Sequence, residues 1–460
     1  MTELAVGRPR RLRLPQPNNA VPRVMKSRSG WVGLLLGFAA ATAGVHPLLG
    51  PLRPWHLFVL LAVAVSVTGR ANRKYRVHAV EWALFGYVAI RVIAELINST
   101  ELHYSANWVS LIYPLWWWLV FVAAKRSTTD IAHAVTLLRA FCVPFIVLIP
   151  LAIGQALGVA PVLDFTAQYV DSEGLQARVL VASQLRAVGL VGHWTHYGIY
   201  CAALLTVAFV LLLLARRHRL GGVAFPQVTI VAGLVGLASS ITFAPVFVVA
   251  LVAIVSFRRI GLSLPTVIAM GAGVVGATAF LGAGLEERIA FQATGSSRVA
   301  WLPDWVPSTI GYRIYIWTTE TLPMISDRPT TGWGLGVYEG TNIATYDVER
   351  TYPAQLRWLS AESQWFHELM ASGVVGLVAL TLVILAMLSL LRSTPEQPIG
   401  DFVAPLRAFV IALVIAALTA PMVTNKGAPL VLWAALGAVA ALRTSRERRS
   451  PVVRARTSDL

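Results

Sequence analysis

The sequence predicts an all-α integral membrane protein with about twelve transmembrane helices, and three observations lead there. Hydrophobic residues make up 56% of the 460-residue chain and charged residues 13%, against roughly 25% charged in a soluble domain. The apolar residues fall in blocks of about 16 to 26, long enough to cross a hydrocarbon core of about 30 Å at about 1.5 Å per residue. Short alternating segments of the kind that build a barrel do not occur, so helices must satisfy the backbone in lipid.

The blocks lie near 30–48, 55–69, 79–97, 107–124, 132–157, 188–215, 223–240, 241–257, 264–284, 364–391, 402–421 and 428–442. The stretch 223–257 has basic residues at both ends and is too long for one span, so two short helices meeting near Ser239–Pro245 fit best. Twelve crossings put both termini on one side, and charge says which. Residues 1–29 carry seven basic groups against Glu3, and residues 443–460 carry six Arg against two acids. Further basic residues occupy short loops: Arg70, Arg73, Lys74 and Arg76; Lys125 and Arg126; Arg216, Arg217 and Arg219; Arg258 and Arg259. With both termini inside, every one of these loops is cytoplasmic, as the positive-inside rule requires. The net charge of +16 therefore reads as tails and loops beside anionic lipid rather than as a nucleic-acid surface. The first apolar block lacks a small-residue cleavage site and reads as a retained helix, and four Lys against thirty-four Arg point to codon usage in a GC-rich bacterial genome.

The remaining organisation follows. Residues 1–29 and 443–460 are cytoplasmic tails, 30–284 hold nine spans and 364–442 hold three. Between the ninth and tenth spans, residues 285–363 form a large extracytoplasmic loop domain with nine acids and six Arg, rich in Trp301, Trp305, Trp317, Trp333 and Trp358. A connection that long is usually functional. A smaller extramembrane segment, 158–187, lies on the same side. Cys142 and Cys201 fall in apolar runs with neither metal nor disulfide spacing, and no internal repeat is evident.

Several short patterns recur along this outer face. Arg186-Ala-Val-Gly189 opens the sixth span and is followed by Gly192-His193. In the large loop, Arg313-Ile-Tyr-Ile-Trp317 precedes Asp327-Arg-Pro329-Thr-Thr-Gly332-Trp-Gly334-Leu-Gly336, an amphipathic helix and a glycine-rich turn. Glu362-Ser363 stands nine residues before Gly373-Val-Val-Gly376 at the head of the tenth span. In this order, over about residues 186–390, the patterns resemble the O-antigen ligase and O-antigen polymerase superfamily. Two positions depart from it. Glu362 stands where ligases carry His, and Ser239-Ser240-Ile-Thr242 lacks the Arg of a Ser-Arg pair many members have. The first departure favours a polymerase-like member, and the second implies that another cation completes the phosphate site.

The resemblance implies a GT-C-like membrane glycosyltransferase that joins polyprenyl-pyrophosphate-linked saccharides outside the cytoplasm. The partners it implies are that donor, a glycan or lipid-glycan acceptor, membrane lipid, and a chain-length regulator or flippase. Arg186 and Arg313 would hold the pyrophosphate, because a guanidinium pairs bidentately with phosphate oxygens. Glu362 would take the acceptor proton. Without an Asp-x-Asp or His cluster, the reaction is expected to be inverting and independent of metal and cofactor. Each residue also has a structural reading. The two arginines could instead anchor at the interface or pair with acids, and Glu362 could be an acid favoured by a helix dipole. His367 could pack or serve as an alternative base. Arg91 and Glu95, one turn apart in the third span, are functional candidates as intramembrane ionisable groups or an intrahelical pair. His193 and His196 share a helix face, where two ligands alone make a poor metal site, and Trp317 and Trp333 could stack on sugars, anchor at the interface or pack the loop. Rival readings are en bloc ligase transfer, a peptidoglycan-type polymerase, and a transporter or flippase of lipid-linked saccharide.

Overall fold

A computed structural model describes residues 27–48, 52–68, 75–102, 108–180, 185–260, 301–303, 306–335, 361–420 and 427–457. Among them the regular structure is helical, with one isolated antiparallel bridge between Val45 and Val170. In chain order the helices are α1 (Arg28–Ala41), α2 (Pro54–Val67), α3 (Ala79–Leu102), α4 (Trp108–Ser127), α5 (Ile131–Ala156), α6 (Ala160–Tyr169), α7 (Glu173–Leu180) and α8 (Trp194–His218). They continue as α9 (Ala224–Ser240), α10 (Phe243–Ile260), α11 (Ser308–Ile316), α12 (Leu322–Asp327), α13 (Gln364–Leu390), α14 (Ile399–Ala416) and α15 (Ala428–Thr457). Six of these, α4, α5, α8, α13, α14 and α15 as far as Ser445, are long and apolar enough to cross a membrane, and α2 and α9 are shorter apolar helices. The chain is a helical, multi-pass membrane protein.

Eleven of the twelve apolar blocks are occupied by helices α1–α5, α8–α10 and α13–α15; the block at 264–284 lies outside the described residues. So does much of the large loop, including Trp305, Trp358 and Gly336. The stretch 223–257 divides as its charges require, α9 ending at Ser240 and α10 starting at Phe243. Residues 158–187, read from sequence only as an extramembrane segment, contain the short helices α6 and α7.

The bundle is organised around α8, whose apolar window is wholly buried. A helix apolar on every side belongs at the centre, and α8 packs against α5, α9, α10, α14 and α15. Small residues bring other pairs together. A Cβ at Gly33 or Gly37 of α1 would sit 2.2 or 2.3 Å from the carbonyl oxygens of Leu137 or Phe141 on α5, so only glycine allows that approach.

Buried charge ties one end of the bundle together. Glu81, fully buried, accepts from Lys125 at 2.9 Å, from Trp118 Nε1 at 3.2 Å, and from the Tyr75 hydroxyl. Asp401, also fully buried at the start of α14, meets Arg217 at 2.9 Å, His218 at 2.8 Å and Arg259 at 3.0 Å. Arg28 donates to Arg126 O, His78 meets Thr444, and Arg443 donates to Arg392 O. The basic turns thus gather at one end, and the candidate site lies at the other.

Candidate functional site

The Arg-x-x-Gly segment does not continue α8. Residues 185–193 form an irregular turn ahead of it, with Gly189 at φ +55° and Gly192 at φ +98°. The turn is organised from below by Gln155, fully buried on α5, whose Oε1 accepts from Val188 N at 3.0 Å and Gly189 N at 2.8 Å. Ala187 N donates to Ser239 O at 2.9 Å, which pins the turn beside the α9–α10 junction. Arg186 is 5% exposed, and its guanidinium lies over the Trp194 ring at 5.4 Å. Among the described residues its Nε finds no hydrogen-bond partner. Arg178 from α7 lies against the same indole at 4.9 Å. His193 is the N-cap of α8, its Nδ1 accepting from Thr195 N at 3.2 Å, with the His196 ring 5.0 Å away.

The second group is built by the loop and the head of α13. Arg313, on α11, donates to Glu362 at 3.1 Å and to Thr309 O at 3.2 Å. The side chain of Glu362 is 37% exposed and stands at φ +50°, one residue before the Ser363 N-cap of α13. It therefore precedes the helix instead of occupying its first turn. Trp317 Nε1 donates to Ala361 O at 2.7 Å, and its ring lies 5.2 Å from Phe366. The Arg-x-x-x-Trp spacing thus places both side chains on the residues that lead into α13. On the same stretch, burial pushes the Glu320 carboxyl above its ordinary range.

The glycine-rich run and the Gly-x-x-Gly are two halves of one junction. At Gly373, α13 is broken, with φ +64° and ψ −163°, a conformation open to glycine alone. The freed backbone groups turn to the loop. Trp333 N donates to Met370 O at 2.8 Å, Gly334 N to Ala371 O at 3.1 Å, and Val374 N to Pro329 O at 2.8 Å. A Cβ on Gly373 would sit 2.1 Å from Thr330 O, and one on Gly332 2.6 Å from Met370 O. Gly376 has a different task, since a Cβ there would lie 2.2 Å from the Ser372 Cβ and 2.8 Å from the buried carboxylate of Glu368, both on α13 itself. Trp333 is 8% exposed, donates to Met324 O, and forms a small core with Met324, Ala361 and Met370. It packs the loop instead of presenting a face for a sugar.

Helix α3 supports this junction from the side. Glu95 accepts from Leu335 N at 2.5 Å, and Asn98 Nδ2 donates to Thr331 O at 3.0 Å. Arg328 reaches back to Asn98 at 3.0 Å and Glu101 at 2.9 Å. Deeper, Arg91 (5% exposed) lies 3.9 Å from Glu368 and 5.3 Å over the Tyr87 ring, while the Tyr87 hydroxyl donates to Glu368 at 2.8 Å. Arg91 and Glu95 thus each reach off their own helix, Arg91 toward α13 and Glu95 toward the loop.

The expected residues therefore gather in two groups. Arg186 and His193 stand around Trp194, while Arg313, Glu362, Trp317 and Trp333, with Arg91 and His367, surround the head of α13. Both lie where α14 ends and α15 begins, because Gln364 N donates to Ala417 O and Val191 flanks Gly427. Gln155, Arg178 and Glu368 escaped the sequence reading. Glu368 carried a signal, a lone carboxylate within an apolar span; Gln155 carried none. Among the described residues, no three His, Cys, Asp or Glu side chains come together as a metal would need. No family model matches the chain, and no curated protein matches it.

Proposed function

We propose that the protein is a membrane glycosyltransferase that joins polyprenyl-pyrophosphate-linked saccharide units, polymerase-like, on the extracytoplasmic face of a bacterial inner membrane. In this reading twelve spans of a GT-C-like bundle hold the site, with both termini cytoplasmic. The observation that carries it is Arg186, a nearly buried cation whose Nε meets no acceptor among the described residues. A buried charge is costly until an anion pairs with it, and a pyrophosphate leaving group supplies that anion while its charge grows. In the reaction the acceptor hydroxyl oxygen bonds to the anomeric carbon as the bond from that carbon to the pyrophosphate oxygen breaks. The hydroxyl proton passes to Glu362, held by Arg313 at the mouth of α13, and polyprenyl pyrophosphate leaves with its electron pair stabilised by Arg186.

One observation favours a second reading. A discontinuous helix beside buried Arg91 and Glu368 is what transporters place around their substrates, so a flippase of the same lipid-linked saccharide is the alternative. Reconstitution with a lipid-linked oligosaccharide separates the two. A glycosyltransferase lengthens the glycan in an Arg186-dependent way, Arg186→Ala costing about 10²- to 10³-fold in rate and Arg186→Lys recovering little of it. Transbilayer movement of unaltered donor, with no lengthening, would overturn the enzyme reading.

A further inference from the structure

The opposite end of the bundle carries a second isolated cation. Arg139, on α5, is 8% exposed and lies 5.1 Å over the ring of Phe225 on α9. No ion pair or hydrogen bond among the described residues meets it. The nearest acid along α5, Asp130, is occupied as the helix N-cap by His133 N at 3.0 Å and His133 Nδ1 at 2.9 Å. The basic cluster nearby is likewise spoken for, Arg217 and His218 being turned to Asp401.

The surroundings of Arg139 are shaped for it. The α8–α9 turn crosses α5 at this level, and a Cβ on Gly221 would sit 2.8 Å from the Arg139 Nη1. Gly221 adopts φ +85°, so glycine both makes the turn and leaves room for the guanidinium beneath it. Gly221 and Gly222 are exposed, which puts the guanidinium one glycine below the surface. Arg216 and Arg217 close α8 just before this turn, and Arg219 caps it. Helices α5 and α8 are long and apolar enough to span a bilayer, and a basic turn that ends such a helix belongs at the level of the lipid headgroups. Arg139 shares the level of that turn, although it is nine residues beyond the α5 N-cap.

We infer that Arg139, Gly221 and Phe225 form a binding site for a phosphate group, supplied by an anionic phospholipid of the leaflet at the basic end. The guanidinium offers donors to the phosphate, the aromatic ring holds its other face, and the glycine turn leaves the path open. The lipid compensates a charge that the described residues leave uncompensated. This site is independent of the glycosyltransferase reading and is tested without an activity assay.

The full-length protein is placed in nanodiscs of phosphatidylcholine, alone or with phosphatidylglycerol, and lipid retention is followed by native mass spectrometry with the thermal midpoint. Wild type is expected to retain phosphatidylglycerol and to be stabilised by it. Arg139→Gln should weaken that retention about 10- to 100-fold, the worth of a charge-assisted hydrogen bond. Arg216→Gln, a nearby exposed charge, should change it by no more than about twofold. Because a buried substitution can impair folding, Gly221→Ala serves as a surface variant that crowds the guanidinium, and it should weaken retention in a folded protein. Inorganic phosphate added to phosphatidylcholine discs identifies the source: stabilisation equal to that by phosphatidylglycerol would keep the anion site and reassign its occupant to free phosphate. Equal losses from Arg139→Gln and Arg216→Gln would mean a diffuse basic surface and overturn the site. So would wild type showing no preference for either anion.

Discussion

Arg313 and Glu362 meet at 3.1 Å with 23% and 37% of their side chains exposed. An ion pair open to solvent to that extent is worth about 0–1 kcal/mol, too little for stability to be its purpose. Glu362 also stands at φ +50°, an uncommon conformation for a residue other than glycine, fixed by the α13 junction around it. Glu362→Gln keeps the shape and removes the ability to accept a proton. The thermal midpoint should then move by no more than about 2 °C, while chain-lengthening falls about 10²- to 10⁴-fold. Glu362→His should restore part of the rate, and His367→Ala should be tolerated. Full activity in Glu362→Gln with loss in His367→Ala would transfer the base to His367. At this scale the sequence named Arg186, Arg313 and Glu362 through the patterns and the resemblance they belong to, and the structure brings Arg313 and Glu362 together. The sequence was silent where the role depends on a distant partner. Nothing near Asn98 announces Thr331, 233 residues away, and nothing near Gln155 announces the turn at Gly189.

Among the elements, α13 has the least self-sufficient design. Its break at Gly373 leaves backbone groups that lipid could not satisfy, and the loop at 329–334 supplies the partners. Loop and helix therefore fold as one piece, with α3 bracing both through Glu95 and Asn98. Gly373→Ala tests this coupling. The backbone region costs any other residue about 1–3 kcal/mol, and the new Cβ would collide with Thr330 O. The loop should be displaced, seen as faster proteolysis between 301 and 335 and loss of activity, while α13 itself still inserts. Gly376→Ala should behave differently, since its Cβ meets the side chains of Ser372 and Glu368 on α13 instead of the loop backbone. Unchanged proteolysis in Gly373→Ala would show that the loop is held by something other than this junction. The two glycine patterns were both legible in the sequence, but their contact was not. Helices α6 and α7 were missed because they are short and flank polar residues, so apolar periodicity does not mark them.

At the scale of the whole molecule, the apolar blocks were legible because lipid imposes one rule on every span. The buried charges explain how the spans stay in register: Glu81 with Lys125 joins α3 to α4, and Asp401 joins α14 to α8 and α10. Both clusters sit with the basic turns, and the Arg186 and Glu362 groups sit at the opposite end. If positive charge marks the cytoplasmic side, the candidate site must face outward, and the number of crossings between any basic turn and the site must be odd. Reporters fused at residues 70–76 and 216–219 should therefore read as cytoplasmic, and a reporter within 301–303 or 328–335 as extracytoplasmic. A third fusion, at Ser239–Thr242, is the strictest. It lies between the basic turns at 216–219 and 258–259, so α9 and α10 must each cross for it to emerge outside beside Arg186. A cytoplasmic signal there would mean that α9 and α10 form a re-entrant pair. That would contradict the hydrogen bond from Ala187 N to Ser239 O, which places this junction at the same level as the arginine turn.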